Sequence, residues 1–329
     1  KNTITFDGGG TVSLDSSEKL MGSLPAFMAS DNGVINFGTK DKQLDKLIVK
    51  ASEDVNFIGW IDSLGSEGNP GGGEININAK SYEQYGSGHG IYVKGEDTAN
   101  GTRLNINVDE FKSETKYKAI HVREGSNAVA TVNAKKFTAI STVEDTGVAV
   151  LQANEGGKIT VNAETVDLKG SHMLGGGVIG SGSYGTVEIN ADNVKIDGNI
   201  NGAYGGKIET DKTAEFIINT KTLDMNGDIN IGTVGHDLNG AVSNNTRNTE
   251  VTIKASDAAV ITGDINITGN AGTNSNEKDY STLNIEFNGD SQIKGDINVK
   301  GSTETQNATV NLGGTGDMTA SKGVFNVGN

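Results

Sequence analysis

Short stretches of alternating apolar and polar residues recur along the whole chain. In EININA at 74–79, the apolar residues Ile75, Ile77 and Ala79 are separated by polar residues. A period of two is typical of a β-strand that buries one face. The pattern therefore predicts a strand here, with apolar side chains facing inward and the Glu and Asn side chains facing outward.

Similar stretches return about every thirty residues, which indicates a solenoid in which each copy is the same strand of a successive coil. We expect one inward apolar column to run through these copies. Its members are Val49, Ile77, Ile106, Val132, Val161, Ile189, Ile218, Ile253, Ile285 and Val310.

Each repeat contains two further strand-like stretches. A polar corner leads to a second apolar position, as at Tyr82 and Phe111, and a glycine-rich turn then leads to a third strand. This third strand is GIYVKG at 90–95 and returns as GDINI at 227–231. Crossovers between parallel strands favour one handedness. The sequence therefore predicts an all-β, right-handed parallel β-helix over 1–329, a single domain with three short strands per coil and about eleven coils.

Composition narrows the range of functions. The net charge of −15 gives a surface that repels phosphate backbones and anionic lipids, so we expect no nucleic-acid binding. No run of apolar residues in the sequence is long enough to span a bilayer, so we expect no membrane insertion by 1–329. The apolar fraction of 34% is low for a compact globule but sufficient for the thin core of a solenoid. The lack of cysteine suits export in an unfolded state and equally suits a cytosolic protein. We expect no cofactor.

The phrases FMASDNGVINFG at 27–38 and VLQANEGGKITVNA at 150–163 place an Ala, a Gly and alternating apolar residues in the same order. In this style of repeat the whole chain resembles the passenger domains of type Va autotransporters of diderm bacteria, in their adhesin branch. The resemblance implies a surface-tethered or secreted right-handed β-helix, followed in the full gene product by an outer-membrane translocator barrel that 1–329 does not include.

The same resemblance implies an extracellular adhesin that binds glycans or proteins of host or bacterial surfaces, or that associates with itself to drive aggregation and biofilm formation. Two alternatives stay open, because one fold serves many functions. The first is a carbohydrate-active enzyme, a polysaccharide lyase or hydrolase, and the second is a passive stalk. GHG at 88–90 resembles a motif of β-helical polygalacturonases, but their paired Asp and their Arg-Ile-Lys do not occur in this sequence. We therefore predict no catalytic residue, and we interpret His89 as a corner residue.

Five of the eight Trp and Tyr residues lie within 60–117, and exposed aromatics stack on sugars or anchor protein partners. Tyr92 and His121 each stand between two inward-facing residues, so the alternation predicts that both face outward, ~5 Å apart on neighbouring strands. The alternative is aromatic packing within wider coils. The predicted binding residues are Tyr92, His121, Trp60, Tyr85 and Tyr117.

The remaining candidates for a structural or binding role are two columns of polar residues and three insertions. An Asn column is expected to form hydrogen bonds along the stack. Carboxylates at the second position of GDIN, at Asp228, Asp264 and Asp296, are either solvated corners or a weak calcium site. The insertions at 61–73, 232–248 and 269–281 are alternative binding segments. The Asn column comprises Asn78, Asn107, Asn133, Asn162, Asn190 and Asn219.

Overall fold

The protein consists of two compact units, Lys1–Val143 with Asn154–Val166 (unit 1) and Glu144–Ala153 with Asp167–Asn329 (unit 2). The prediction of a single domain stays a prediction. The computed structural model describes residues 2–16, 28–29, 32–51, 59–61, 72–95, 101–123, 128–144, 148–173, 177–180, 184–202, 212–231, 248–268, 280–300, 307–321 and 323–328.

The described residues of both units form strands and turns, and none of them forms a helix. The strands of unit 1 are β1 (Thr3–Phe6), β2 (Thr11–Ser16), β3 (Met28–Ala29), β4 (Val34–Phe37), β5 (Leu44–Ala51), β6 (Gly59–Ile61), β7 (Glu74–Gly86), β8 (Ile91–Lys94), β9 (Thr102–Asn107), β10 (Glu110–Thr115), β11 (Ile120–Arg123) and β12 (Ala128–Ser141).

Unit 2 contains β13 (Ala149–Ala153), and β14 (Lys158–Lys169) has residues in both units. The other strands of unit 2 are β15 (Gly177–Gly180), β16 (Thr186–Asp197), β17 (Ile200–Asn201), β18 (Thr213–Asn226), β19 (Ile229–Ile231), β20 (Asn248–Thr262), β21 (Ile265–Thr268), β22 (Tyr280–Phe287), β23 (Asp290–Lys294), β24 (Ile297–Lys300), β25 (Asn307–Gly313), β26 (Met318–Ala320) and β27 (Phe325–Gly328).

Parallel pairing between successive coils confirms the predicted β-solenoid. In unit 1, β8 pairs with β6 and β11, while β7 pairs with β4 and β9 through its first half and with β5 and β10 through its second half. In unit 2, β19 pairs with β17 and β21, and β18 with β16 and β20. The first two strands of a coil thus often merge into one long strand.

The solenoid counts about eight turns, slightly fewer than the predicted eleven coils. Ile4 pairs with Ile35 and Phe325 pairs with Ile297, so both belong to inward columns, and their side chains are 57% and 60% exposed.

The predicted inward column is correct through most of its length. Ile77 pairs with Ile106, and the side chains of both are fully buried at 0% exposure. Val49 instead pairs with Gln84 on the second strand of its coil, and Val310 pairs with Leu283, two residues from the predicted Ile285. The error at Val49 arises because the first and second strands of a coil carry the same alternation of the same residue types. The error at Val310 is a slip of one alternation period along the same strand, since Ile285 pairs with Leu312.

The interior of unit 1 contains a stack of aromatic rings with polar side chains beside it. The ring of Phe111 stacks on Tyr82 at 5.2 Å and on Phe137 at 4.4 Å between centroids. The Tyr82 hydroxyl donates to Gln84 Oε1 at 2.7 Å, and Gln84 Nε2 donates to Ser113 Oγ at 2.7 Å. Burial of these polar groups is tolerated because they bond to one another.

Asn side chains bond from coil to coil, as predicted. Asn107 Nδ2 donates to Asn78 Oδ1 at 3.1 Å, and Asn133 Nδ2 donates to Asn107 Oδ1 at 2.9 Å. A second ladder in unit 2 runs along the third strands through Asn201, Asn230, Asn266, Asn298 and Asn326. These ladders align successive coils in the register of the backbone pairing.

Candidate functional site

A column of outward side chains runs along the second strands of unit 1. Lys50 of β5 pairs with Tyr85 of β7, and Tyr85 pairs with Glu114 of β10. Paired residues of parallel strands point to the same face, so these three side chains stand next to one another. Their neighbours Val49 and Gln84 point to the opposite face and are fully buried at 0% exposure.

A cleft of about 520 Å³ lies where this column meets the turn that follows it. All of its lining residues belong to unit 1. The lining draws on four successive coils and therefore extends ~14 Å along the stack, at ~4.8 Å between neighbouring strands. The lining residues are Lys50, Tyr85, Gly86, Ser87, Glu114, Lys116, Thr142 and Val143.

The Tyr85 side chain is held in position by charged neighbours. Its hydroxyl donates to Glu83 Oε2 at 2.9 Å, and the ammonium of Lys112 lies 5.3 Å from the ring centroid. Glu83 in turn accepts a hydrogen bond from Lys46 Nζ at 2.6 Å, and this bond is the main cause that lowers the pKa of the Glu83 carboxyl. Burial is the main cause that raises the pKa of the Tyr85 hydroxyl. The ring is thus fixed before any ligand binds.

Tyr117 lies beside the cleft, in contact with one of its lining lysines. The Lys116 ammonium is 5.2 Å from the centroid of the Tyr117 ring, and the His89 ring is 4.9 Å from the same ring. Burial, with a smaller effect from the charge of Lys118, lowers the pKa of His89 to about 4. This His is therefore a neutral packing partner of Tyr117 at neutral pH.

The prediction that the side chains of Tyr92 and His121 are exposed is wrong, and their role in binding stays a prediction. They are paired across β8 and β11, with ring centroids 5.2 Å apart, as expected. However, their side chains are only 7% and 8% exposed, and Asn154 Nδ2 lies 3.2 Å from His121 Nε2. Alternation assigns a side chain to one face of a sheet but does not show whether other parts of the chain cover that face. At Tyr92 and His121 the outward face is buried.

Trp60 and the insertions stay untested candidates. The Trp60 backbone pairs with that of Tyr92, which places both in one column of the third strands. The Trp60 side chain lies outside the described residues, as do 62–71, 232–247 and 269–279, which make up nearly all of the three predicted insertions.

The GDIN carboxylates bond to the backbone of the next coil. Asp228 Oδ1 accepts the N–H of Asp264 at 2.7 Å, and Asp264 Oδ1 accepts the N–H of Asp296 at 2.8 Å. Charge-assisted bonds of this kind stabilise a column of carboxylates without a cation. In the part of the chain that the structure describes, no group of three or more His, Asp or Glu residues is arranged to hold a metal ion.

The cleft combines an aromatic face with groups that bind hydroxyls and anions. Tyr85 offers the ring, Lys50 and Lys116 offer ammonium donors, and Ser87 and Thr142 offer hydroxyls. Such a set suits a polar ligand that has both an apolar face and many oxygen atoms.

Tyr85 is the predicted candidate that lines the cleft, and Tyr117 adjoins it through Lys116. The prediction missed Lys50, Glu114 and Lys116. A signal for two of them was present, since Lys50 and Glu114 are outward residues of second strands at the same repeat spacing as Tyr85.

Comparison with known proteins adds no relative: no family model, curated protein or solved structure matches this chain. Among the described residues, no helix is long and apolar enough to cross a membrane.

Proposed function

We propose that this protein is a cell-surface adhesin that binds surface glycans in the cleft of unit 1. The observation that carries the proposal is the Tyr85 ring, which lines an open cleft between lysine and hydroxyl side chains. The resemblance of the repeats to autotransporter passenger domains supports an extracellular location. The partner in this proposal is a glycan of a host or bacterial surface.

The physical basis is the match between the lining and the two surfaces of a sugar ring. The C–H face of a sugar stacks on an aromatic ring, and its hydroxyls bond to ammonium, hydroxyl and carboxylate groups at the edge. Because Glu83 and Lys112 already hold Tyr85, little side-chain freedom is lost when a sugar binds. Preorganisation of this kind favours a useful affinity from a small site.

The lining favours binding over catalysis. Glycoside hydrolases generally use two carboxyl groups on either side of the scissile bond. Glu114 is the one carboxylate among the described lining residues. We therefore propose that the protein is not an enzyme and that it releases its glycan unchanged.

A glycan array and a matched pair of tyrosine variants test this function. Tyr184 of unit 2 is also a half-buried tyrosine, with Lys212 Nζ 5.7 Å from its ring centroid, and it lies outside the cleft. We expect Tyr85→Ala to weaken binding to the array by about tenfold or more, the usual effect of removing a stacking aromatic. Tyr184→Ala is expected to bind as the parent does.

Three outcomes would overturn the proposal. These are unchanged binding by a folded Tyr85→Ala protein, equal losses in the two variants, and release of shortened sugars from the bound glycan. Circular dichroism and melting curves of both variants confirm that each is folded before its binding is compared.

A further inference from the structure

Lysine side chains outnumber carboxylates around Tyr85, although the chain as a whole is acidic and Glu114 also lines the cleft. Lys50 and Lys116 line the cleft, and the Lys112 ammonium lies 5.3 Å from the Tyr85 ring centroid. The nearby carboxylate of Glu83 is already bound by Lys46 at 2.6 Å. Against a net charge of −15, this is a local site of opposite sign.

We propose that the glycan bound here is anionic and carries carboxylate or sulfate groups on both sides of the sugar that stacks on Tyr85. This inference rests on the proposed function and specifies its ligand. The charges of the protein and the ligand are then complementary at the cleft, although the net charge of the chain is negative.

The register places the two lysines on opposite sides of the ring along the stack. Lys50 belongs to the coil before Tyr85, whereas Lys116 follows Glu114 in the coil after it. Coils are ~4.8 Å apart, so the two cations bracket a ligand of about two to three sugar units. A single charged sugar would reach one of these lysines, and an oligosaccharide with repeated charges would reach both.

Lysine does not distinguish a carboxylate from a sulfate. Its ammonium is a compact point charge, and it lacks the planar fork by which arginine recognises one anion geometry. No arginine is present among the described lining residues. The charge of the ligand is therefore the recognised feature, and the two anion types need separate arms in the experiment.

The first experiment compares three probes by isothermal titration calorimetry. They are a hexasaccharide with alternating uronic acid residues, its fully methyl-esterified form, and a sulfated neutral oligosaccharide of the same length. We expect the charged probes to bind about tenfold or more tightly than the methyl ester, because esterification removes the charge and keeps the sugar faces. Affinity for the charged probes should also fall between 50 and 300 mM salt, because salt screens partly exposed charges.

The second experiment removes charge from the protein. Lys50→Gln with Lys116→Gln is expected to weaken binding of the uronate probe by about tenfold and to leave binding of the methyl ester nearly unchanged. The matched control is Lys40→Gln with Lys42→Gln, which removes two charges from exposed positions of the same unit outside the cleft. This control is expected to bind as the parent does.

The outcomes separate the inference from the function on which it rests. Equal affinity for the uronate and its methyl ester, with both lost in Tyr85→Ala, would refute the anionic ligand and keep the glycan-binding function. Equal losses in the two lysine pairs would refute the cleft as the source of the charge effect. An absence of binding by every glycan on the array would refute both proposals.

Discussion

His89 and His121 both lie among groups that disfavour a charged imidazole. Burial is the main cause that lowers the pKa of His89 to about 4, and the charge of Lys118 adds to it. Burial also lowers the pKa of His121 well below its ordinary value, and the charges of Lys118 and Arg123 add to this effect. In the unfolded chain both rings regain an ordinary pKa of about 6.5.

This difference predicts that stability falls in mild acid. Between about pH 6.5 and pH 4 the unfolded chain binds protons that the folded His89 and His121 do not, so the free energy of unfolding decreases as the pH is lowered. Urea unfolding at pH 7.5 and pH 5 should show a loss on the order of 2 kcal/mol from His89 alone, and His121 should add to it.

Two histidine variants identify the groups responsible for this loss. His121→Gln should reduce the difference in stability between the two pH values, because the amide keeps a polar contact with Asn154 and does not titrate. His172→Gln is the control, because that histidine is exposed and bonded to Asp197. The same pH dependence in His121→Gln and in the parent would contradict the explanation.

His121 also shows that the position of a residue in a strand can be predicted from the sequence when its exposure cannot. Its strand, its neighbour Tyr92 and the ~5 Å spacing followed from alternation and repeat length. Its exposure did not, because burial of an outward face depends on chain segments far away in the sequence. Asn154, which contacts His121, comes from a later coil and carries no feature that marks this contact.

Among the structural elements, the GDINI strand contains residues that each make a different contact between coils or within the core. In its copy at 263–267, the glycine permits close approach of coils, Asp264 bonds to the next coil, and Asn266 joins the ladder. The two Ile side chains, Ile265 and Ile267, are fully buried at 0% exposure. The motif therefore recurs in unit 2 because these coils meet their neighbours through the same contacts, and this recurrence is why it predicted the fold.

Substitution of the glycine in this element should be strongly destabilising. Gly263 has a φ of +150°, and a Cβ atom added there would collide with the carbonyl oxygen of Gly227 in the preceding coil. Backbone atoms of stacked coils cannot move apart without breaking the ladder bonds, so we expect Gly263→Ala to cost about 3 kcal/mol. Thermal melting measures this cost.

The control for this variant is Gly313→Ala in the same unit. A Cβ at Gly313 would lie 3.7 Å from the nearest atom, the carbonyl oxygen of Ile285, which is an ordinary contact. It should therefore melt close to the parent. A similar small change in Gly263→Ala would show that the coils are not held at the observed spacing.

The repeated elements explain why the fold was more predictable than the site. Strands, parallel stacking and the Asn ladders follow from columns that recur in almost every coil. The cleft depends on residues that do not repeat from coil to coil. One outward column holds Lys50, Tyr85 and Glu114 in successive coils, and Lys116 lies in the turn after Glu114. Outward columns tolerate most residue types, so their pattern alone does not indicate a site.

At the scale of the whole molecule, stacking makes each coil depend mainly on the coils next to it. Within unit 2, for example, β18 pairs with β16 on one side and β20 on the other. The stability of such an array is close to a sum over coils and their interfaces, and local damage need not spread along it. The cleft lies wholly among residues of unit 1.

Equivalent core damage in the two units should therefore affect glycan binding differently. Ile106 of unit 1 and Ile253 of unit 2 are both fully buried, and an Asp at either position places an unpaired charge in the interior. We expect Ile106→Asp to abolish binding of the uronate probe, because β9, which carries Ile106, pairs with β7, which carries Tyr85. Ile253→Asp should reduce amide protection in unit 2 and change the affinity by less than about twofold.

Hydrogen exchange with mass spectrometry, run beside the titration, reports protection in each unit separately. Loss of protection in unit 1 of the Ile253→Asp protein would mean that the molecule unfolds as one cooperative body, and the nearest-neighbour description would then fail.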